Sequence, residues 1–442
     1  MHHKLTRRDF LLGAGTAAAG LALGACVPPA TPTTAPAAEA TAVPVGGKLE
    51  WVNHLSAYPP SQPVWDAMKQ GFEEKYPGWE LVDYSMDPNE MTQQVVMMAT
   101  SDDVPDMVMS DYVQNATWAY AGALEPLDDY FSQEVREDYV GWEVSVVKGK
   151  WYGLTMNGGT LIPIWNRVVL EMAGRDPDKA PSNIEEFEET LAAIAELGTD
   201  EEGNKIWPFL TDVYQHYVVC LRFLPFVWGN GGDLWDEQDN WTVNTQENID
   251  TLTWFAGLAE REWIPVGTKT QDNRQIVAKD LAGGYIDGPW AKGLWRDLSG
   301  IGDEFYSHTL PSTYPDGKAG ISPSIVWGNT IVMMKGSKNK EMAKNFMEYI
   351  TSTPEILKTY NKEMGHLSCR KSHLRDDPYW EGDWWNAGFK EALLSARGLH
   401  WGIPKFQAGL EEVGRAVQAA CQGKDPKAAL DDATVRISEM QE

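Results

Sequence analysis

Lys48-Leu49-Glu50-Trp51-Val52-Asn53 has the apolar and aromatic content of a short strand. A Pro-rich turn, Tyr58-Pro59-Pro60, separates it from Trp65, Met68 and Phe72, which recur at helical spacing until Tyr76-Pro77-Gly78 stops the helix. Trp79 to Tyr84 reads as a second strand, Asn89 to Thr100 as a second helix and Asp106 to Met109 as a third strand. This order predicts a parallel α/β sheet, because a parallel neighbour is reached only through a long crossover.

Downstream the same grammar returns. Ser182 and Glu185 predict a capping box ahead of Ile184, Phe187, Leu191 and Ile194, and Gly198 closes that helix. A helix from Glu341 carries Met342, Phe346, Tyr349 and Ile350 on one face. Two terminal helices use Leu410, Val413 and Val417, and, from Asp425-Pro426, Leu430, Ala433 and Ile437. So long a chain exceeds what one core supports and predicts two domains.

Upstream, Arg7-Arg8 precede Asp9-Phe10-Leu11 and a Gly/Ala-rich apolar run ending in Leu23-Gly24-Ala25-Cys26. The twin arginine reads as an export signal for a folded protein, and the end of the run resembles a lipobox that makes Cys26 the lipidated first residue of the mature chain. The run is too short and too Gly-rich for a membrane span. Residues 26–47, rich in Pro, Ala and Thr, read as a flexible tether. Location outside the cytoplasm, anchored to a membrane by lipid, follows as an expectation.

The precursor has a net charge of −27, and residues 1–25 carry a net +2, so the mature chain stands at −29. Such a surface repels phosphate backbones, so nucleic acid is not an expected partner. Cys220, Cys369 and Cys421 remain after lipidation, an odd number for a disulfide framework. Cys220 sits in an apolar run as a core thiol; whether Cys369 pairs with Cys421 stays open.

No HExxH, Gly-x-Ser-x-Gly or P-loop pattern occurs, and Gly13-x-Gly15-x-x-Ala18 lies inside the signal segment with no strand before it. No cofactor, metal or catalytic residue is expected. The unusual feature is 20 Trp, all after position 50. An indole face packs on the C–H face of a sugar ring while polar neighbours take its hydroxyls. Trp228, Trp290 and Trp327 lie beside Gly or Pro and are the candidates for that role. Ligands of open α/β sheets bind at the carboxyl ends of strands, which adds Asn53, His54, Ser110, Asp111 and Asn157; Asn329 is a further candidate.

Pro105-Asp106, Gly122-Ala123-Leu124-Glu125-Pro126-Leu127, Gly149-Lys150-Trp151-Tyr152-Gly153, Trp165-Asn166, Gly288-Pro289-Trp290 and Ser337-Lys338-Asn339-Lys340 to Phe346 occur in a fixed order. In that order the chain resembles extracellular solute-binding proteins of family 1, the maltose-binding-protein-like sugar binders of ABC importers. The resemblance extends over nearly all of the mature chain. It implies an α/β, two-lobed periplasmic-binding-protein fold of type II, with a ligand cleft between the lobes and three chain crossings. Lobe one would be 48–157 plus 311–351, and lobe two 162–306 plus 355–442.

The resemblance also implies a sugar-stacking role for Trp290, with Asp111 and Asp287 as hydroxyl acceptors. The chain departs from the family's maltose binders at Leu55-Ser56 and Val113-Gln114, where those present charged groups, and near Leu410, where they carry a stacking tryptophan. The resulting expectation is a monomeric, non-enzymatic lipoprotein that binds a mono- or oligosaccharide by hinge closure and passes it to importer permease subunits. The alternatives are a binder of another small solute on the same fold and a secreted glycoside-acting enzyme.

Overall fold

The computed structural model describes residues 46–441 apart from 87, 102, 103, 215, 216 and 322. Arg7-Arg8, Cys26 and all but the last two residues of the expected tether lie outside the described residues.

Both faces of β1 (Gly47–Asn53) are covered, because Leu49 and Trp51 point to one side and Val52 to the other. α1 (Gln62–Lys75) covers the first side with Val64, Trp65, Met68 and Phe72. The Trp65 ring lies 5.6 Å from that of Trp51, and Phe346, from far down the chain, sits 5.2 Å from Trp51 and 5.1 Å from Phe72. Each such side chain contributes ~1.5–3 kcal/mol by leaving water. β2 (Trp79–Ser85) and, after α2 (Pro88–Met98), β3 (Met107–Asp111) flank β1 in parallel, with Leu49 opposite Leu81 and Trp51 opposite Met107. The expected strand, helix, strand order is therefore present.

The chain continues through α3 (Tyr112–Tyr120), α4 (Gln133–Asp138), the small hairpin β4 (Val146–Val147) with β5 (Lys150–Trp151), β6 (Gly153–Thr155) and β7 (Gly159–Asn166). Then come α5 (Arg167–Met172), α6 (Ile184–Ala195), α7 (Val218–Gly229), α8 (Gln246–Glu260), α9 (Thr270–Val277), β8 (Gly284–Asp287), α10 (Ala291–Ser299), β9 (Thr309–Pro311), β10 (Ile325–Trp327) and β11 (Asn329–Met333). α11 (Lys340–Ser352), α12 (Pro354–Met364), α13 (Lys371–Asp376), α14 (Trp384–Leu394), α15 (Phe406–Cys421) and α16 (Pro426–Gln441) complete it.

Two sheets organise these elements. The first has the order β2-β1-β3-β11-β6, with β11 antiparallel to both neighbours; the second has β10-β7-β8, with β9 also on β7. Every residue of β7 is buried, as a strand covered on both faces requires.

The helix starting at Ile184 is capped one residue later than the sequence implied. Asn183 Oδ1 accepts from the Glu186 N–H (2.9 Å), and Glu186 reaches back to take the Ser182 N–H and hydroxyl, both at 2.9 Å. Cys220 is a core thiol, as expected, donating to the Leu410 carbonyl, and Cys369 and Cys421 are both free.

The chain passes between the sheets at three places. Residues 156–158 link β6 to β7, and Gly328 alone separates β10 from β11. The switch expected near 311 thus comes later, since Ile325–Trp327 still pair with β7. At the third place α12 packs on α1, and Leu367 then exchanges both backbone hydrogen bonds with Gly158, each 2.9 Å.

Asn157, fully buried, joins the three. Its Nδ2 donates to Asn329 Oδ1 (3.0 Å) and to the Tyr360 hydroxyl (2.9 Å), and its Oδ1 accepts the Asn329 N–H (3.0 Å). Gly328 has φ 158°, and a Cβ there would stand 2.7 Å from the Asn157 carbonyl oxygen. Only glycine fits that conformation at that approach.

Candidate functional site

β1 and β3 end, and β11 begins, at one edge of the first sheet, bringing Asn53, Asp111 and Asn329 to the rim that meets the second sheet. The second sheet answers with the start of β7 at Gly159 and the end of β8 at Asp287, followed by Gly288-Pro289-Trp290.

Several residues expected at the site are committed to the protein itself. Asn53 is fully buried: its Oδ1 accepts from the Leu55 and Ser56 N–H groups, and its Nδ2 donates to Asp83 (2.8 Å) and the Trp51 carbonyl. Ser110 is buried in a network with Asn115 and Thr330. Asn157 ties the crossings together. Trp228 stands on α7 rather than in a loop, only 1 % exposed, donating Nε1–H to Asp233 (3.0 Å) with the Arg397 guanidinium over its ring. Asp287 is fully buried, and Arg274 holds both its oxygens. As placed, these five turn inward, so the hydroxyl-acceptor role expected of Asp287 is not supported by its geometry.

His54, Asp111, Trp290, Trp327 and Asn329 are half-buried at the rim. Asp111 Oδ1 caps α3 by accepting the Gln114 N–H (3.2 Å). Loss of water around that carboxylate raises its pKa, opposed by the N–H groups of Gln114 and Val113.

Trp327 lies in an aromatic group that sequence reading did not assemble. Its ring is 6.5 Å from Tyr112, 6.5 Å from Tyr217 and 6.0 Å from Trp401, and Tyr217 and Trp401 meet at 6.0 Å. Tyr217 has a raised pKa, first through burial and then through the charge of Asp111, so its hydroxyl remains protonated beside that carboxylate. Trp401 also lines a groove of about 520 Å³ between Tyr120, Glu143 and Lys148 on one side and Asp239 and His400 on the other. The Tyr120 hydroxyl donates to the Gly402 carbonyl (2.6 Å) across it. Tyr217 and Trp401 carry no motif; only their proximity in space identifies them.

Trp290 forms a second aromatic position. A Cβ on Gly159 would stand 3.3 Å from its ring and 2.7 Å from the carbonyl oxygen of Trp327, the strand partner of Gly159, so the indole lies directly against the backbone at the start of β7. His366 packs 5.6 Å from Trp290 and 4.9 Å from Tyr360. Burial, with a smaller contribution from nearby His54, pushes the His366 pKa down to about 3. Among the described residues no group of three or more His, Cys, Asp or Glu could hold a metal ion, and no helix is long and apolar enough to cross a membrane.

The sequence pattern of the bacterial extracellular solute-binding proteins matches residues 57–355. The chain belongs to that family. This solute-binding protein is 24 % identical over 332 residues to a maltotriose-binding protein of Pyrococcus abyssi, covering 74 % of this chain and 67 % of the relative. A solute-binding protein of an ABC transporter from Thermotoga lettingae, solved with α-D-tagatose, superposes with a TM-score of 0.74 at 20 % identity, over 89 % of this chain and 99 % of that one. A cyclic α-maltosyl-1,6-maltose binding protein from Arthrobacter globiformis gives 0.75 at 17 % identity, over 88 % and 97 %. These likenesses establish the two-lobed α/β fold of type II with the cleft between its lobes.

His366 generates a testable consequence. Its folded pKa lies below the ordinary value of 6.5, so the unfolded chain binds a proton first as pH falls. Stability present above pH 6.5 is lost between there and about 3, at up to ~1.4 kcal/mol per pH unit. Thermal unfolding of His366→Gln followed over that interval should show a shallower loss than the parent; parallel curves would show that His366 is not held neutral.

Proposed function

We propose that this solute-binding protein captures an oligosaccharide between its lobes and delivers it to an ABC importer, without covalent chemistry. The observation that carries the reading is the aromatic group of Trp327, Tyr217 and Trp401, the last of which lines the 520 Å³ groove, with Trp290 as a separate aromatic position beside Gly159. A sugar ring offers flat C–H faces and hydroxyl edges; stacking on indole shields the first, and Asp111, Asn329 and His54 serve the second. The buried Trp401 Nε1–H, which has no acceptor among the described residues, adds a donor. Two separate aromatic positions call for at least two sugar rings. Relatives described as maltotriose-binding and arabinooligosaccharide-binding support an oligomeric ligand.

Delivery depends on hinge closure. Lobes at 48–155 with 329–364 and 159–327 with 369–442 would close about the crossings at 156–158, 328 and 365–368, because contacts from both sides favour the shut form. Isothermal titration against glucose, maltose, maltotriose and an arabinooligosaccharide should give at least tenfold tighter binding for one oligosaccharide than for its monosaccharide. Trp327→Ala should weaken that binding by roughly tenfold or more, as loss of a central aromatic contact does. Equal affinity for monomer and oligomer would reduce the site to one ring.

Export by the twin-arginine signal and lipid anchoring at Cys26 complete the proposal, with the protein acting as a tethered monomer. In Cys26→Ala cells the chain should appear unprocessed or released; processing and membrane retention like the parent would remove the anchor.

A further inference from the structure

Trp290 is held by more than packing. Its ring lies so close over Gly288 that a Cβ there would stand 2.3 Å from it, and its Nε1–H donates to Asp287 Oδ1 (3.0 Å). The same oxygen accepts the Gly288 N–H (2.8 Å) and one Arg274 nitrogen (2.9 Å), while Oδ2 accepts Arg274 Nε (2.7 Å). A carboxylate gripped by both arms of a guanidinium has one orientation. The indole that donates to it has one too.

Behind the pair lies a second one of the same kind. Arg222, from α7, meets Asp212 at 2.9 Å, and Asp212 also accepts from Tyr285 (3.1 Å), Thr270 (2.6 Å) and Asn273 (2.8 Å). Two arginines and two aspartates thus balance in a buried layer beneath the end of β8. Buried pairs of this sort are weak stabilisers, because desolvation offsets most of their attraction. What they supply here is geometry.

We propose that Arg274 is a positioning residue for the ligand site: through Asp287 it fixes the plane of the Trp290 indole and so sets affinity, although its own side chain is buried and bonds Asp287. The proposal rests on the reading of Trp290 as a sugar-stacking position. Remove Arg274 and Asp287 loses the cation hydrogen-bonded to both its oxygens; the indole then loses its fixed acceptor.

The test uses the whole protein with maltotriose as probe, or the tightest oligosaccharide of the titration panel. The Trp290 indole N–H cross-peak is identified in ¹H–¹⁵N spectra by its loss in Trp290→Phe. In Arg274→Met the peak should shift or broaden and affinity should fall at least tenfold, with Arg274→Lys recovering part of the loss. Trp290→Ala should fall similarly, and Arg274→Met with Trp290→Ala should bind no more weakly than Trp290→Ala alone, since both act through one ring. Arg274→Met with Asp287→Asn removes both charges but keeps an acceptor for the indole, so it serves as the folded control and should bind better than Arg274→Met. An unmoved Trp290 peak in Arg274→Met, or fully additive losses in the double variant, overturns the positioning role. Parent-like affinity in Trp290→Ala overturns instead the reading of Trp290 as a ligand contact, while the cross-peak still reports on Arg274.

Discussion

Asn157 and Gly328 meet where two strands cross from one sheet to the other, and the architecture depends on that approach. A Cβ on Gly328 would stand 2.7–2.8 Å from the two oxygens of Asn157, and the Asn157 amide binds Asn329 and Tyr360 in the same place. The chain crosses between the two sheets here, so relative motion of the lobes must pass through these few residues. A side-chain amide fully buried with all its bonding groups satisfied can serve as a pivot, because breaking it would leave polar groups unpaired at ~1–3 kcal/mol each. Rotation of the flanking backbone costs much less.

The site follows from the same geometry. Because the strand switches occur at 156–158 and Gly328, the Trp290 indole comes to lie against Gly159 at the start of β7, and Tyr112, Tyr217 and Trp401 gather around Trp327 from elements far apart in the chain. An aromatic run of this kind gives area without charge. In the proposed site selectivity would fall to the few polar groups at the rim, among them Asp111 with its desolvated carboxylate.

Much of this was legible in residue order. The strand and helix spacing between Lys48 and Met109 gave the three parallel strands of the first sheet but not the antiparallel β11 and β6 beside them, and Gly288-Pro289-Trp290 pointed to the second aromatic position. What local pattern could not convey is which polar groups at the strand ends the fold itself consumes. Asn53 must bond its own turn at Leu55 and Ser56, and Asp287 must hold Trp290, so neither is left over for a solute. The adjacent Gly229 suggested a loop at Trp228, whereas Trp228 lies in a helix buried from Val219 to Gly229 that tertiary packing maintains even with Pro225 inside it. The late switch at Gly328 was hidden because three residues, Ile325 to Trp327, carry the last pairing with β7. Tyr217 and Trp401, 184 positions apart, become neighbours only through the fold.

The central claim is that a sugar held by both lobes closes them about the Asn157 crossing. Small-angle X-ray scattering of the chain without and with saturating oligosaccharide measures this directly. The account predicts a smaller radius of gyration with ligand and the saccharide recovered unchanged; an unaltered radius at proven saturation would contradict it.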